Sequence, residues 1–144
     1  MADLLYYKII KTELVQFATL VNTFDPNGHY SQNNEISIDF NPASSVLNCT
    51  LSILLQDSAQ CPVMKASVLC SFEFKRESIE TITKNGEVKF PVNVLCHLVS
   101  LTYSSLRGAL SVKAEDTPFR GFVLPITNVS EYIKSPVTFK LQEN

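Results

Sequence analysis

Lys65-Ala66-Ser67-Val68-Leu69-Cys70-Ser71-Phe72-Glu73-Phe74-Lys75 decides the fold class. Ala66, Val68, Cys70, Phe72 and Phe74 fall on one side of an extended chain, and Lys65, Ser67, Ser71, Glu73 and Lys75 on the other. Period-two alternation of this kind belongs to a strand with one buried face. The same period runs upstream. Leu47, Cys49, Leu51, Ile53 and Leu55 alternate with Asn48, Thr50 and Ser52, and Ile36, Ile38 and Phe40 alternate with Glu35, Ser37 and Asp39. From Leu14 to Val21 both alternating sets are fairly apolar, as expected of a strand with two covered faces. Turn chemistry separates these runs: Asp25-Pro26-Asn27-Gly28, Asn41-Pro42, and the segment from Asp57 to Pro62. Four strands that share one continuous apolar face need a cover.

The second half supplies it. Asn85-Gly86 breaks the chain, and Pro91 suits the opening turn of a helix. Leu95, Val99, Thr102, Leu106, Ala109 and Lys113 then step by four and three, which is one helical stripe. Val94, Leu98, Leu101 and Ser105 form a second stripe beside it. Together they exceed the roughly 100° arc that a single packing surface needs. The second stripe is therefore expected to meet another subunit; the alternative is that it packs on the chain's own loops. Asp116-Thr117-Pro118 ends the helix, Gly121 and Pro125 keep the next segment extended, and Asn128 caps a short final helix through Tyr132 and Ile133. The expected architecture is α+β: a four-stranded antiparallel sheet covered on one face by a long C-terminal helix and a short final helix.

With 144 residues, residues 1–144 read as one domain, large enough to bury a core without disulfide or metal. Apolar residues are 45% and charged residues 18%, a globular balance. Twelve Lys and Arg stand against fourteen Asp and Glu, with no basic run, which argues against nucleic acid as a partner. The start Met1-Ala2-Asp3 followed by Lys8, Lys11 and Glu13 does not read as a secretory signal. The longest stretch free of Asp, Glu, Lys and Arg, from Phe90 to Leu106, contains Pro91, Asn93 and His97, so membrane insertion is not expected. Cys49, Cys61, Cys70 and Cys96 show no CxxC spacing and read as free thiols, consistent with a cytoplasmic protein.

No arrangement for catalysis is visible. His29 sits in a turn. His97 follows Cys96, but helix neighbours point about 100° apart and cannot pair with each other. Phosphate-loop, serine-hydrolase and zinc-protease motifs are absent, and Glu73, Glu77, Glu80 and Glu87 interleave with Lys75, Arg76, Lys84 and Lys89 as a solvated mixed surface. The chain is expected to be no enzyme and to carry neither cofactor nor metal. Binding remains. Phe72, Phe74, Phe119, Phe122 and Tyr132 lie near the places where sheet meets helix or loop. Either they line a groove for extended apolar peptide, or they fill the core.

The order of these elements resembles the bacterial export chaperone family SecB. Glu35-Ile36-Ser37-Ile38-Asp39-Phe40-Asn41-Pro42-Ala43-Ser44-Ser45 is similar to the family's second strand and turn, and Ala66 to Phe74 to its fourth strand. Leu106-Arg107-Gly108-Ala109-Leu110, Thr117-Pro118-Phe119 and Phe122-Val123-Leu124-Pro125-Ile126 are similar to the end of the family's long helix and its crossover. The resemblance implies an ATP-independent holdase, a homotetramer built as a dimer of dimers. It would hold unfolded preprotein clients for the translocation motor SecA. Carried onto this chain, it implies peptide-binding roles for Phe72, Phe74, Phe119, Phe122 and Val123. The family's usual Val-Asn-Phe after the crossover proline is replaced by Ile126-Thr127-Asn128. The outer sheet face mixes Lys65, Glu73 and Lys75, where the family docks its motor on acidic residues. A second reading of the same fold is a protein dedicated to one partner, such as the antitoxin of a toxin–antitoxin pair.

Overall fold

The computed structural model describes residues 5–125 and 128–141. Four long strands come first: β1 (Tyr7–Thr19), β2 (Ser31–Asn41), β3 (Val46–Gln56) and β4 (Pro62–Phe74). They form one antiparallel sheet in the order β1-β4-β3-β2. A short helix α1 (Arg76–Thr81) and a second, small sheet follow, made of β5 (Thr83–Lys84), β6 (Glu87–Phe90) and the late strand β7 (Val137–Lys140). Between β6 and β7 lies the long helix α2 (Val92–Lys113), which packs mainly across β3 and β4.

The alternation in the sequence maps directly onto this sheet. Leu47, Cys49, Leu51, Ile53 and Leu55 of β3 and Ala66, Val68, Cys70, Phe72 and Phe74 of β4 are all buried. Leu95, Leu98, Val99, Thr102, Leu106 and Leu110 of α2 close over them. Side chains directly opposite in a ladder point to the same side of the sheet, so Leu47 opposite Phe72 and Cys49 opposite Cys70 build one continuous apolar layer. Pro91 stands at the N-cap of α2, with φ near the value its ring imposes. A single 3-10 turn, Ala114–Asp116, ends the helix just before Pro118.

Two expectations are corrected. First, β1 is an edge strand, its outer face mostly exposed and its inner face half-covered, rather than a strand covered on both. Its register against β4 slips at Ile10 and again at Val15. Tyr7, Ile9, Thr12, Leu14, Phe17 and Thr19 therefore face the same side as Phe74, Phe72, Cys70, Val68, Ala66 and Met64. Each bulge inserts one residue and inverts the phase of the alternation. Both parities of β1 consequently look apolar in the sequence. Ile10 and Val15, the inserted residues, are 47% and 56% exposed. Second, the final helix is a single 3-10 turn, Val129–Glu131, after which the chain extends into β7. Asn128 caps that turn as expected, its side-chain oxygen accepting from the Ser130 amide at 3.2 Å. Asn85-Gly86 breaks the chain as expected: it is the two-residue loop of a tight hairpin joining β5 to β6, with both residues at positive φ. Ile126 and Thr127, at the end of the crossover stretch, and Met1-Ala2-Asp3 lie outside the described residues.

Two aromatic groups close the ends of the sandwich. Phe90 and Phe139 of the small sheet meet Phe40 and Phe74, with Phe74 and Phe90 centroids 5.3 Å apart. At the other end Phe24 sits against Tyr30, Phe119 and Phe122 at 5.0, 4.7 and 5.8 Å.

Candidate functional site: the open flanks of the sheet and helix

A helix about 10 Å wide cannot cover four strands spaced about 4.8 Å apart. The two edge strands are therefore left partly bare, and these flanks are candidate binding surfaces. On the β2 side, Gln32, Asn34, Ile36, Ile38 and Phe40 turn toward the helix layer but stay only half-buried. A groove of about 380 Å³ runs beside them, lined by Asn34, Ile36, Ile38, Tyr132, Ile133 and Val137. Its rim is polar: the Asn34 amide donates to the Tyr132 hydroxyl at 3.0 Å. Tyr132 keeps 46% of its surface exposed.

The crossover from α2 back to the sheet is pinned beside this groove. The Tyr103 hydroxyl donates to the Pro125 carbonyl at 2.7 Å. Arg107, one turn later, donates from Nε to the Leu124 carbonyl at 3.2 Å and from Nη2 to Pro125 at 3.4 Å. The guanidinium also lies over the Tyr103 ring, 5.5 Å from its centroid. Gln32 of β2 donates to the same Tyr103 hydroxyl at 3.4 Å, so helix, crossover and edge strand meet at one oxygen.

On the β1 side, the Tyr7 hydroxyl is hydrogen-bonded to His97 Nδ1 of α2, and partial burial raises the Tyr7 pKa. Ile9, Leu14 and Phe17 of the strand, with Leu101 and Ser105 of the helix, remain partly exposed.

The sequence-derived site residues divide sharply. Phe72 and Phe74 face the layer as expected but are buried by it: Phe72 is 0% exposed. Phe119 is likewise closed over by Phe24. Phe72 and Phe119 cannot touch a bound polypeptide while the sandwich is intact, whereas Phe74, 2% exposed, lines a concavity of about 370 Å³ with Tyr6, Tyr7 and Lys75. Phe122 is half-buried and Val123 is 67% exposed, so these two remain at the surface. Of the helix stripe, Val94 and Leu98 are buried within this same chain, leaving Leu101 and Ser105 accessible to a second subunit. Ile36, Ile38, Ile133 and Val137 were not singled out for binding, and neither were Phe24 and Tyr30. The alternation around Ile36 and Ile38 marks a half-buried strand, but nothing local says that it lies at an edge.

Among the described residues no group of three or more His, Cys, Asp and Glu could hold a metal ion. Burial pushes the Cys49 thiol up to about 11, a Thr102 hydrogen bond opposing and the neighbouring Cys70 adding to the rise. Cys49 is thus a protonated, inert core group. No helix among the described residues is long and apolar enough to cross a membrane.

An antiparallel four-stranded sheet under one long helix, with a pinned crossover and open apolar flanks, is the SecB-like fold. No protein-family model matches the chain, and no curated protein matches it by sequence. Among solved structures it is similar to the Mycobacterium tuberculosis SecB-like chaperone Rv1957 in complex with a ChAD peptide from the Rv1956 HigA1 antitoxin. The TM-score is 0.57 at 14% identity, over 84% of this chain and 90% of that one.

Proposed function

We propose that this chain is a SecB-like chaperone dedicated to one partner protein, of which it holds an extended, partly apolar segment. The observation that carries this reading is the likeness to a SecB-like chaperone bound to an antitoxin peptide. The local geometry favours it over a general export holdase. A groove of about 380 Å³ with apolar residues in its lining lies beside β2, and the large aromatics Phe72 and Phe119 are withdrawn into the core. A small, shaped groove suits one segment better than many unrelated ones. Hand-over to the motor SecA is not part of the reading. Lys8, Lys11 and Lys65 mix with Glu13 and Glu73 on the outer face of β1 and β4, which denies an acidic docking field there.

Binding is passive: the chain works as no enzyme and needs no cofactor. It acts as a homo-oligomer in the cytoplasm. The partly bare β1 flank, with Ile9, Ile10 and Val15 exposed, and the half-buried Leu101 of α2 support self-association. Two buried free cysteines, Cys49 and Cys70, suit a reducing compartment.

The test is affinity capture from the source organism's lysate, run beside an aggregation assay with unrelated denatured proteins. A dedicated chaperone retains one stoichiometric partner and leaves the unrelated proteins to aggregate. Suppression of aggregation across unrelated clients, with no preferred partner, would replace this reading with the general holdase.

A further inference from the structure

The two edges of the four-stranded sheet differ in kind. β1 carries both register slips and the charged residues Lys8, Lys11 and Glu13, which are devices that blunt an edge against strand pairing. β2 has no register slip and no Lys; its charged residues are the two acids Glu35 and Asp39. Its ladder with β3 runs unbroken from Ser31 to Asn41, without bulge, Lys or Pro. Its other edge has no ladder partner among the described residues. Along the centre of this edge stands Glu35-Ile36-Ser37-Ile38-Asp39. Ile36 and Ile38 point toward the groove formed with Tyr132, Ile133 and Val137, while Glu35 and Asp39 point out on the opposite face.

Both carboxylates lack a cation. The ion pairs among the described residues are Lys8–Glu73, Lys11–Glu13 and Arg120–Glu115, and neither Glu35 nor Asp39 takes part. On β3 their cross-strand partners are Ser52 and Asn48, which are uncharged. Lys65 lines the same outer concavity as Glu35 without pairing to it.

We propose that β2 binds the partner by strand addition and that Glu35 and Asp39 select a segment of the pattern basic–apolar–any–apolar–basic. The inference rests on the polypeptide-binding reading above and names the chemistry of the segment. An added antiparallel strand places its two basic side chains opposite Glu35 and Asp39 and drops its two apolar side chains beside Ile36 and Ile38. The apolar contacts fill the groove, the main chain completes the ladder, and the carboxylates set the phase. A one-residue slip would turn the basic side chains into the groove.

The same charges argue against a second copy as the occupant. Antiparallel self-pairing about Ser37 would set Glu35 directly opposite Asp39 of the other chain, twice, and like charges directly opposite are destabilising. A basic, amphipathic foreign strand removes that conflict.

The experiment uses the full-length protein and fluorescein-labelled peptides with a Lys-Val-Thr-Val-Lys core between uncharged flanks. A control peptide of equal composition has the core Val-Lys-Thr-Lys-Val. The first should bind at least about tenfold more tightly than the control, since two apolar contacts are at stake. Glu35→Gln with Asp39→Asn should weaken the first peptide about three- to tenfold in dilute salt. The difference should vanish near 1 M salt, where the screening length is about 3 Å. Amide exchange at residues 35–39 should slow when the peptide binds. Equal binding of the two peptides, or binding without protection at 35–39, overturns strand addition. If the captured partner still binds in that case, the dedicated-chaperone reading stands alone; if it does not, both fall.

Discussion

The Tyr103 hydroxyl donates to the Pro125 carbonyl at 2.7 Å, tying the middle of the long helix to the crossover that leaves its end. Arg107 repeats the attachment one turn later on Leu124 and Pro125. The described residues of the crossover make no ladder bonds, and these side chains give the Leu124 and Pro125 carbonyls their hydrogen-bond partners.

Removing them should loosen the crossover and leave the sheet intact. Tyr103→Phe should cost about 1 kcal/mol, the usual net worth of one hydrogen bond, and Arg107→Ala a similar amount. Each would lower the melting temperature by roughly 2–4 °C in a chain of this size. Because both share the Pro125 carbonyl, the double variant should lose less than the sum, and urea denaturation of the four proteins closes the cycle.

Phe72→Ala and Phe122→Ala should separate folding from binding. Phe72 is wholly buried, so its truncation leaves a cavity and should cost about 3–5 kcal/mol, enough to unfold much of a marginally stable chain. Half-buried Phe122 should cost only about 1 kcal/mol. Circular dichroism melts check both. A Phe72 variant that stays folded at full stability would contradict its place in the core.

The four cysteines should react in a fixed order. Cys61 is exposed and should be modified at once by a thiol reagent in native buffer, whereas Cys49 and Cys70 should react only after unfolding. Counting reactive thiols against time, with and without denaturant, tests this.

Alkaline pH should weaken the fold through Cys49. Its pKa rises from an ordinary 9.0 to about 11 in the folded chain. The folded state therefore holds the proton more tightly than the unfolded state, and this contribution is complete below about pH 9. It is lost as pH rises through about 11, at up to about 1.4 kcal/mol per pH unit in between. Urea midpoints measured between pH 8 and 11 should fall less steeply for Cys49→Ala than for the parent protein.

Self-association should be sensitive to the bulge residues of β1. Ile10→Lys with Val15→Lys places charge on side chains already about half exposed, so the fold should keep its melting temperature. Light scattering after size exclusion should show a smaller assembly than the parent forms. An unchanged mass would move the subunit contact elsewhere.

How much of this was legible beforehand differs from element to element. The alternation in β3 and β4 and the period of α2 were plain, because each of these elements is long and has one buried face. The small sheet was not, since strands of two and four residues such as β5 and β6 carry almost no periodic signal. In β1 the signal was present but scrambled: the bulges at Ile10 and Val15 invert its phase, and the strand then resembles one buried on both sides. For the site, the crossover residues Phe122 and Val123 were identified and are at the surface, while Phe72, Phe74 and Phe119 were identified and are not.

The amino-acid sequence by itself determined which residues share a face. Periodicity is a local property, and it put Phe72 with Cys70 and Val68, and Leu95 with Val99 and Leu106, before any layer was assembled. It could not say what lies on top of a face. Only the tertiary structure decided that Phe72 is sealed beneath α2 while Ile36 and Ile38, equally apolar and equally periodic, are left beside an open groove. Strand order is the physical reason. Placing β4 and β3 at the centre and β1 and β2 at the edges is a long-range pairing choice, and one helix is wide enough to cover only the centre.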